Sequence, residues 1–153
     1  MRVVLVLAVA SILVSGPFGF SDRARAFGGA APAAAVDANF TAGKAAVDAG
    51  DWDKAIELMK ASVASNPNNA DAYNYLGYAY RKNGDFENAF AAYAKALAID
   101  PKHRGANEYL GEAYLETGQI DKARAQLERL DELCPFGCPE YTELKKRLEA
   151  KEG

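Results

Sequence analysis

Residues 70–103 carry the clearest pattern in this chain and read ADAYNYLGYAYRKNGDFENAFAAYAKALAIDPKH. Four residues in the first part fall at i, i+3, i+4 and i+7, which is one face of a helix: Tyr73, Leu76, Gly77 and Tyr80. Four residues in the second part share the face of another helix: Ala89, Tyr93, Ala96 and Leu97. Gly84 ends the first helix, and Pro101 ends the second because proline disfavours helical geometry in the residue before it. The stretch is therefore predicted to form two helices joined by a tight turn.

The same pattern recurs at one constant spacing on both sides of this stretch. The recurring positions are Pro67, Pro101 and Pro135; Ala55, Ala89 and Ala123; Gly43, Gly77 and Gly111; and Gly50, Gly84 and Gly118. A fixed period of about 34 residues indicates stacked structural repeats, each of which buries its apolar face against its neighbours. Small residues such as Gly77 and Ala89 leave room for two helices to approach closely. The chain is therefore predicted to be all-α.

The repeated unit resembles the tetratricopeptide-repeat (TPR) family, whose signature is W-x2-L-G-x2-Y…A-x3-F…P. The unit formed by residues 70–103 also has the family's length of about 34 residues. Residues 70–103 match nearly throughout, with Tyr73 in the tryptophan position. Residues 104–137 also match but have Asn107 in that position, and residues 36–69 match more weakly, as a terminal repeat is expected to. The resemblance implies a helix–turn–helix TPR solenoid of three repeats.

A further helix is predicted after the last repeat, within residues 138–153. Residues 139–150 place Tyr141, Leu144 and Leu148 on one side, and proline at position 139 suits the first turn of a helix. A repeat array exposes its last apolar face unless another element covers it. This segment is therefore predicted to be a capping helix followed by a short tail, which brings the number of predicted helices to seven.

Residues 1–26 have the layout of a secretory signal peptide. Arg2 precedes an apolar run at positions 3–14, and small residues stand at positions 24 and 26, where a signal peptidase cleaves. The run is shorter than the roughly 20 residues that a membrane-spanning helix needs, although a retained anchor is the alternative. Residues 27–35 are predicted to be a flexible tail. We expect an exported protein, periplasmic in a Gram-negative bacterium and otherwise secreted, with no membrane insertion after cleavage.

Composition and charge narrow the classes of partner. The chain is half hydrophobic and a quarter charged, which fits a folded protein. Its net charge of −3 becomes −5 when the three arginines and one aspartate of residues 1–26 are removed. An acidic domain without a lysine or arginine cluster is a poor partner for nucleic acid or anionic lipid. We therefore predict no nucleic-acid partner.

No arrangement of residues with the spacing of a catalytic site is present. The single histidine, His103, follows Pro101-Lys102 and is predicted to be a solvated turn residue, not a metal ligand. The repeat explains every interior glycine as a turn or close-packing position, so no glycine loop is left to hold a phosphate. The sequence therefore predicts a non-catalytic protein with no cofactor and no metal.

Cys134 and Cys138 flank the turn before the predicted capping helix and leave three interpretations open. Two cysteines in an exported chain suggest one disulfide, which would hold down the capping helix. Alternatively the pair has a thiol-redox or Cu(I)-handling function, since soft thiolates bind Cu(I). Two free thiols are the third interpretation.

The family resemblance also implies where a partner binds. Members of the family usually hold peptides in a groove lined by the first helix of each repeat. The residues implied to line it are Phe40, Lys44, Asn74, Tyr78, Arg81, Lys82, Glu108 and Glu112. The resemblance thus implies a protein or peptide partner. The positive charges of Lys44, Arg81 and Lys82 are expected to meet acidic groups on it. Self-association through the apolar outer face of the first repeat is a further alternative.

Two details of this groove concern the charge of the partner. Glu108, Glu112 and Glu116 stand at i, i+4 and i+8, and their mutual repulsion suggests a basic partner, with a solvated helix face as the alternative. One subgroup of the family holds a C-terminal carboxylate with a lysine–asparagine clamp. Phe40, Tyr78 and Gly105 occupy clamp positions here, so a chaperone-tail adaptor is not expected.

Overall fold

The structure, a computed structural model, describes residues 37–153, and this part forms seven α-helices and no strand. The helices are α1 (Ala38–Ala49), α2 (Trp52–Ser65), α3 (Ala70–Lys82), α4 (Phe86–Ile99), α5 (Arg104–Glu116), α6 (Ile120–Leu133) and α7 (Pro139–Glu152). They confirm the all-α, helix–turn–helix architecture that the constant spacing of the repeat predicted. The predicted signal peptide (1–26) and tail (27–35) lie outside the described residues.

Side-chain caps and glycines determine where most helices begin and end. Five helices start after a residue whose side chain accepts a hydrogen bond from the backbone N–H three positions later: Asp37, Asp51, Asn69, Asp85 and His103. Each such cap stabilises a helix by about 1 kcal/mol. Three turns between paired helices contain a glycine with φ of 72°, 81° or 74°: Gly50, Gly84 and Gly118. Glycine adopts this left-handed conformation without the steric cost of a Cβ atom.

Within a pair, a glycine of the first helix faces a large side chain of the second. A Cβ atom added at Gly77 would lie 2.6 Å from the ring of Tyr93, which is fully buried together with Ala89. In the first pair, Gly43 faces Met59 in the same way, at 2.8 Å from its terminal methyl group. The small residues thus mark the closest approach of the helices, as the sequence predicted.

Helix α7 covers the end of the array and confirms the predicted capping helix. Leu144 and Leu148 are buried in a cluster with Leu115 and Leu130. A Cβ atom at Gly111 would lie 2.5 Å from Leu144, so α7 fills the space that Tyr93 fills in the preceding pair. Within residues 37–153, no helix has both the length and the apolar composition needed to cross a bilayer.

Candidate functional site

The eight residues implied to line a groove lie on α1, α3 and α5, the first helices of the three pairs. We name the surface formed by these helices and α7 the inner face. Five of the eight are partly or fully exposed there: Phe40, Lys44, Tyr78, Lys82 and Glu108. The other three are at most 4% exposed: Asn74, Arg81 and Glu112. The inner face therefore has exposed side chains at its surface and three buried polar side chains beneath them.

An aromatic pair joins α1 to α3 on this face. Phe40 and Tyr75 meet edge to face, with ring centroids 5.8 Å apart. Lys44 extends over the same tyrosine, and its Nζ lies 5.1 Å from the ring centroid. All three side chains remain partly exposed, so the pair presents apolar surface beside a positive charge.

A second aromatic pair joins α3 to α5. The ring centroids of Tyr78 and Tyr109 lie 4.9 Å apart, and Trp52 contacts Tyr78 from the start of α2 at 6.0 Å. Burial raises the pKa of Tyr109 to about 12, with a further contribution from the carboxylate of Glu108. The hydroxyl of Tyr109 therefore stays protonated at neutral pH and remains a hydrogen-bond donor.

These two tyrosines border a recess of about 240 Å³ between α3, α5 and α7, which we name the tyrosine recess. Its walls are formed by Tyr78, Lys82, Glu108, Tyr109, Glu143 and Arg147, and the buried Arg81 and Glu112 form its floor. The recess is mostly polar, unlike the rest of the repeat core.

Arg81 holds the floor together. Its Nη2 lies 2.6 Å from Glu112 Oε2, and its Nη1 pairs with Glu116. The guanidinium carbon also lies 5.1 Å and 5.7 Å from the ring centroids of Tyr78 and Tyr109. Both terminal nitrogens of Arg81 therefore have partners inside the chain, where the sequence had suggested acidic groups of another protein. This corrects the expected role of Arg81 from a surface contact to a buried support.

Helix α7 contributes a second arginine to the same network. The Nε of Arg147 lies 2.8 Å from Glu112 Oε1 and 2.9 Å from Glu143 Oε1. Burial raises the pKa of Glu112, while Arg81 and Arg147 act in the opposite direction. The acidic stripe on α5 is thus partly neutralised within the chain, and Glu112 does not present a free charge to a partner.

Glu108 is the carboxylate of the recess that this network leaves out. It forms no ion pair with any residue in the described part of the chain. Burial, and after it the carboxylates of Glu112, Glu140 and Glu143, raise its pKa to about 7 against the opposing effect of Arg147. The electrostatic environment at Glu108 therefore disfavours its own negative charge.

Asn74 supports the inner face from below. It is 4% exposed, and its Nδ2 would lie 3.3 Å from a Cβ atom added at Gly105, the second residue of α5. Its Oδ1 has no hydrogen-bond partner within residues 37–153. The amide therefore lies under the start of α5, and Asn74 is not part of the exposed surface.

Three residues of the site were missed in the sequence. Tyr75 and Tyr109 both stand at the sixth position of their repeats, and this repetition of an aromatic residue was a usable signal. Arg147 lies on the predicted capping helix, and nothing in its local sequence indicates that it reaches the network on α5. Its role follows only from how α7 packs.

His103 is not the solvated turn residue that the sequence suggested. Its side chain is 13% exposed, and its Nδ1 accepts a hydrogen bond from the backbone N–H of Ala106 at 3.1 Å. The Nε2 lies 3.0 Å from Asp71 Oδ1 and donates to it, because Nδ1 is already an acceptor. The reason is that a ring nitrogen of histidine can accept a hydrogen bond from a backbone N–H at the start of a helix. The side chain of Asn69 does the same at the start of α3.

The turn between α6 and α7 differs from the other inter-repeat turns. Cys134 and Cys138 are 7% and 9% exposed, and their Cα atoms lie 5.7 Å apart, within the range of disulfides. Neither end of the turn supplies a side-chain cap for α7, in contrast to the turns before α3 and α5. Phe136 at its tip is fully exposed. The two cysteines therefore lie close together at the one inter-repeat turn of residues 37–153 whose following helix has no side-chain cap.

Within residues 37–153, no group of three or more His, Cys, Asp or Glu side chains is arranged to hold a metal ion. The expectations of no catalytic residue, no cofactor and no metal remain predictions. So does the Cu(I) or thiol-redox interpretation, and the low exposure of both cysteines does not favour it, since reactive thiols are usually accessible.

Comparison with known families agrees with this architecture. Two families described as tetratricopeptide repeat match the chain, one over residues 40–104 and the other over residues 80–148. The chain belongs to the tetratricopeptide-repeat family. A comparison with curated protein sequences found no significant match.

Solved TPR structures superpose well on this chain. The Sgt2 TPR domain from Aspergillus fumigatus is 26% identical, with a TM-score of 0.69 and coverage of 80% of each chain. The Arabidopsis OM64 TPR domain is 25% identical, with a TM-score of 0.67 over 73% of this chain and 92% of that one. The second TPR domain of human RPAP3, solved with an HSP70 peptide, is 25% identical, with a TM-score of 0.64 over 71% and 91%.

Proposed function

We propose that this chain is a non-catalytic module that binds a peptide or protein segment on its inner face, in an exported compartment. The observation that carries the proposal is the set of partly exposed aromatic side chains on the first helices of the TPR array: Phe40, Tyr75, Tyr78 and Tyr109. Aromatic side chains with few rotatable bonds supply a large contact area at a low entropy cost. The buried Arg81 lies against the rings of Tyr78 and Tyr109, and this contact orders both rings in the unbound chain, which lowers the cost of binding.

A similar structure supports the choice of ligand class. The second TPR domain of human RPAP3 is in complex with the HSP70 peptide SGPTIEEVD. That peptide is acidic, whereas the tyrosine recess contains the unpaired carboxylate of Glu108. Binding of a peptide therefore fits this chain, but selection of the same acidic peptide does not.

Photo-crosslinking in the cells that produce the chain tests the proposal. A photoreactive phenylalanine analogue replaces Phe40 or Lys82 on the inner face, or the exposed Lys95 of α4 as the control. We expect the first two variants to form a discrete protein adduct after irradiation and the Lys95 variant to form none. Adducts of equal yield from all three positions, or none from the inner face, would argue against this surface.

The exported compartment has two supports: the leader-like pattern of residues 1–26 and the placement of Cys134 beside Cys138. We propose that the two cysteines form a disulfide that holds α7 against the array. Mass spectrometry of the native protein, with and without thiol alkylation, tests both points. We expect an N-terminus at Phe27 and alkylation only after reduction. A chain that keeps residues 1–26, with both thiols alkylated in the native state, would contradict export and the disulfide together.

A further inference from the structure

We propose that the tyrosine recess holds a lysine or arginine side chain of the bound segment, with Glu108 as its ion-pair partner. This inference rests on the proposed function and adds the chemistry of the partner to it. It concerns one position of the bound segment.

The charges around the recess leave one carboxylate without a cation. Arg81 forms ion pairs with Glu112 and Glu116, and Arg147 forms ion pairs with Glu112 and Glu143. Two arginines thus share three carboxylates, and this group already carries one negative charge in excess.

Glu108 adds a further carboxylate to this group. The remaining cation of the recess, Lys82, extends toward Trp52, with its Nζ 5.8 Å from the ring centroid. Burial and the neighbouring carboxylates raise the pKa of Glu108 to about 7. A cation from a partner would remove the repulsion and restore the ionised form of Glu108.

The walls of the recess suit a long basic side chain. Tyr78 and Tyr109 lie 4.9 Å apart beside Glu108, and the recess between them and α7 measures about 240 Å³. Lysine and arginine can lay their methylene groups along apolar ring surface while the charged end reaches a carboxylate.

The walls also contain Lys82 and Arg147. Arg147 already pairs with Glu143, and the charged end of Lys82 lies over the ring of Trp52. Because both cations are engaged in this way, an acidic side chain beside Glu108 would be repelled.

Selection from a library of short random peptides displayed on phage tests the inference. The bait is the mature chain, as wild type, Glu108→Gln or Glu108→Lys. Glu128→Gln is the matched control, because Glu128 is an exposed glutamate of α6 outside the recess. Thermal unfolding of each bait confirms that it is folded before selection.

We expect wild type and the Glu128→Gln control to enrich peptides with lysine or arginine at one fixed position. A basic peptide so selected should bind Glu108→Gln about tenfold more weakly, the loss typical of removing one partner of a charge-assisted contact. Glu108→Lys should instead enrich aspartate or glutamate at that position.

Two other outcomes separate this inference from the proposed function. Enrichment of peptides with no basic preference, or an unchanged preference in Glu108→Gln, would overturn the inference while leaving peptide binding intact. No enrichment by any bait, wild type included, would overturn the proposed peptide-binding function and the inference with it.

Discussion

The first helix pair (α1 and α2) and the middle pair (α3 and α4) share one sequence pattern but differ in the side chains that pack against its glycine. Gly43 and Gly77 occupy the same register position, yet the first faces the flexible end of Met59 and the second faces the rigid, fully buried ring of Tyr93. One turn of helix further on, α1 has Val47 where α3 has the buried Arg81. The first pair is therefore an apolar contact that can adjust, and the middle pair is a fixed contact with a charged centre.

This difference shows how a repeat protein gains a specific surface without changing its fold. The glycine and alanine positions set the distance between helices, and they are common to all three pairs. The side chains opposite them determine how rigid each pair is. The tyrosine recess lies beside the rigid pair, where the positions of Tyr78 and Tyr109 are held by the guanidinium of Arg81.

The largest effect is expected from removing the charged centre of the middle pair. Arg81→Ala leaves Glu112, which is 3% exposed, with Arg147 alone. Breaking a buried ion pair on one side costs about 3 kcal/mol or more, because the remaining charge stays buried. Urea unfolding followed by circular dichroism measures the loss.

Arg129→Ala is the control for this measurement. Arg129 pairs with Glu132 on the surface of α6, and removal of such an exposed pair costs about 0.5 kcal/mol or less. Equal losses in Arg81→Ala and Arg129→Ala would mean that the buried network adds nothing to the stability of the middle pair.

A smaller loss is expected when the closest contact of the middle pair is overfilled. In Gly77→Ala the new methyl group meets the ring of Tyr93 at 2.6 Å. Overpacking of a rigid site costs about 1–3 kcal/mol, and the better helix propensity of alanine offsets about 1 kcal/mol of it. We expect a net loss of up to about 2 kcal/mol in urea unfolding. The double variant Gly77→Ala/Tyr93→Leu should lose less than the sum of the two single changes, and strict additivity would contradict the clash.

The sequence was sufficient for the fold because the fold depends on local, repeated features. The glycine at the end of each first helix, the buried alanine of each second helix and the proline after it recur at the same spacing. Each acts through backbone geometry or close packing within its own pair. Even the capping helix could be predicted, since its apolar stripe and Pro139 are local signals.

The site could be predicted only in part, because its chemistry depends on distances between helices. The repeat register predicted that Tyr78, Lys82 and Glu108 share one surface, and all three border the tyrosine recess. It could not show that Arg81 pairs with Glu112 across two helices, because a helix face that looks exposed in one repeat is covered by the next. The contribution of Arg147 depends on the rotation of α7 about its axis, which no residue pattern in that helix determines.

The pH dependence of stability should come in part from Glu108 in the tyrosine recess. The folded-state pKa of Glu108, about 7, lies above its ordinary value of 4.5, so the folded chain binds the extra proton in this range. Its contribution to stability is therefore present at low pH and is lost as the pH rises from about 4.5 to 7. Glu108→Gln should remove this slope and stabilise the protein at pH 8 by about 1 kcal/mol or less, since solvent screens the partly exposed group.

Urea unfolding of wild type and Glu108→Gln at several pH values between 4.5 and 8 measures this difference. The comparison uses the difference between the two proteins, because Glu112 also has a raised pKa and contributes to the slope of both. Parallel stability curves for the two proteins would show that Glu108 does not titrate in the folded chain as proposed.

The smallest effect is expected where Gly43 contacts Met59 in the first pair. The informative result is whether the free energy of unfolding rises or falls. In Gly43→Ala the new methyl group meets the terminal methyl of Met59 at 2.8 Å. Methionine has three rotatable bonds and fills irregular space, so its end can move aside. The gain in helix propensity, at most about 1 kcal/mol, then equals or exceeds the cost. We expect urea unfolding to show unchanged or slightly increased stability, opposite to Gly77→Ala. A loss as large as that of Gly77→Ala would mean that the first pair is as rigid as the middle one. Rigidity could then not explain why the tyrosine recess forms beside the middle pair.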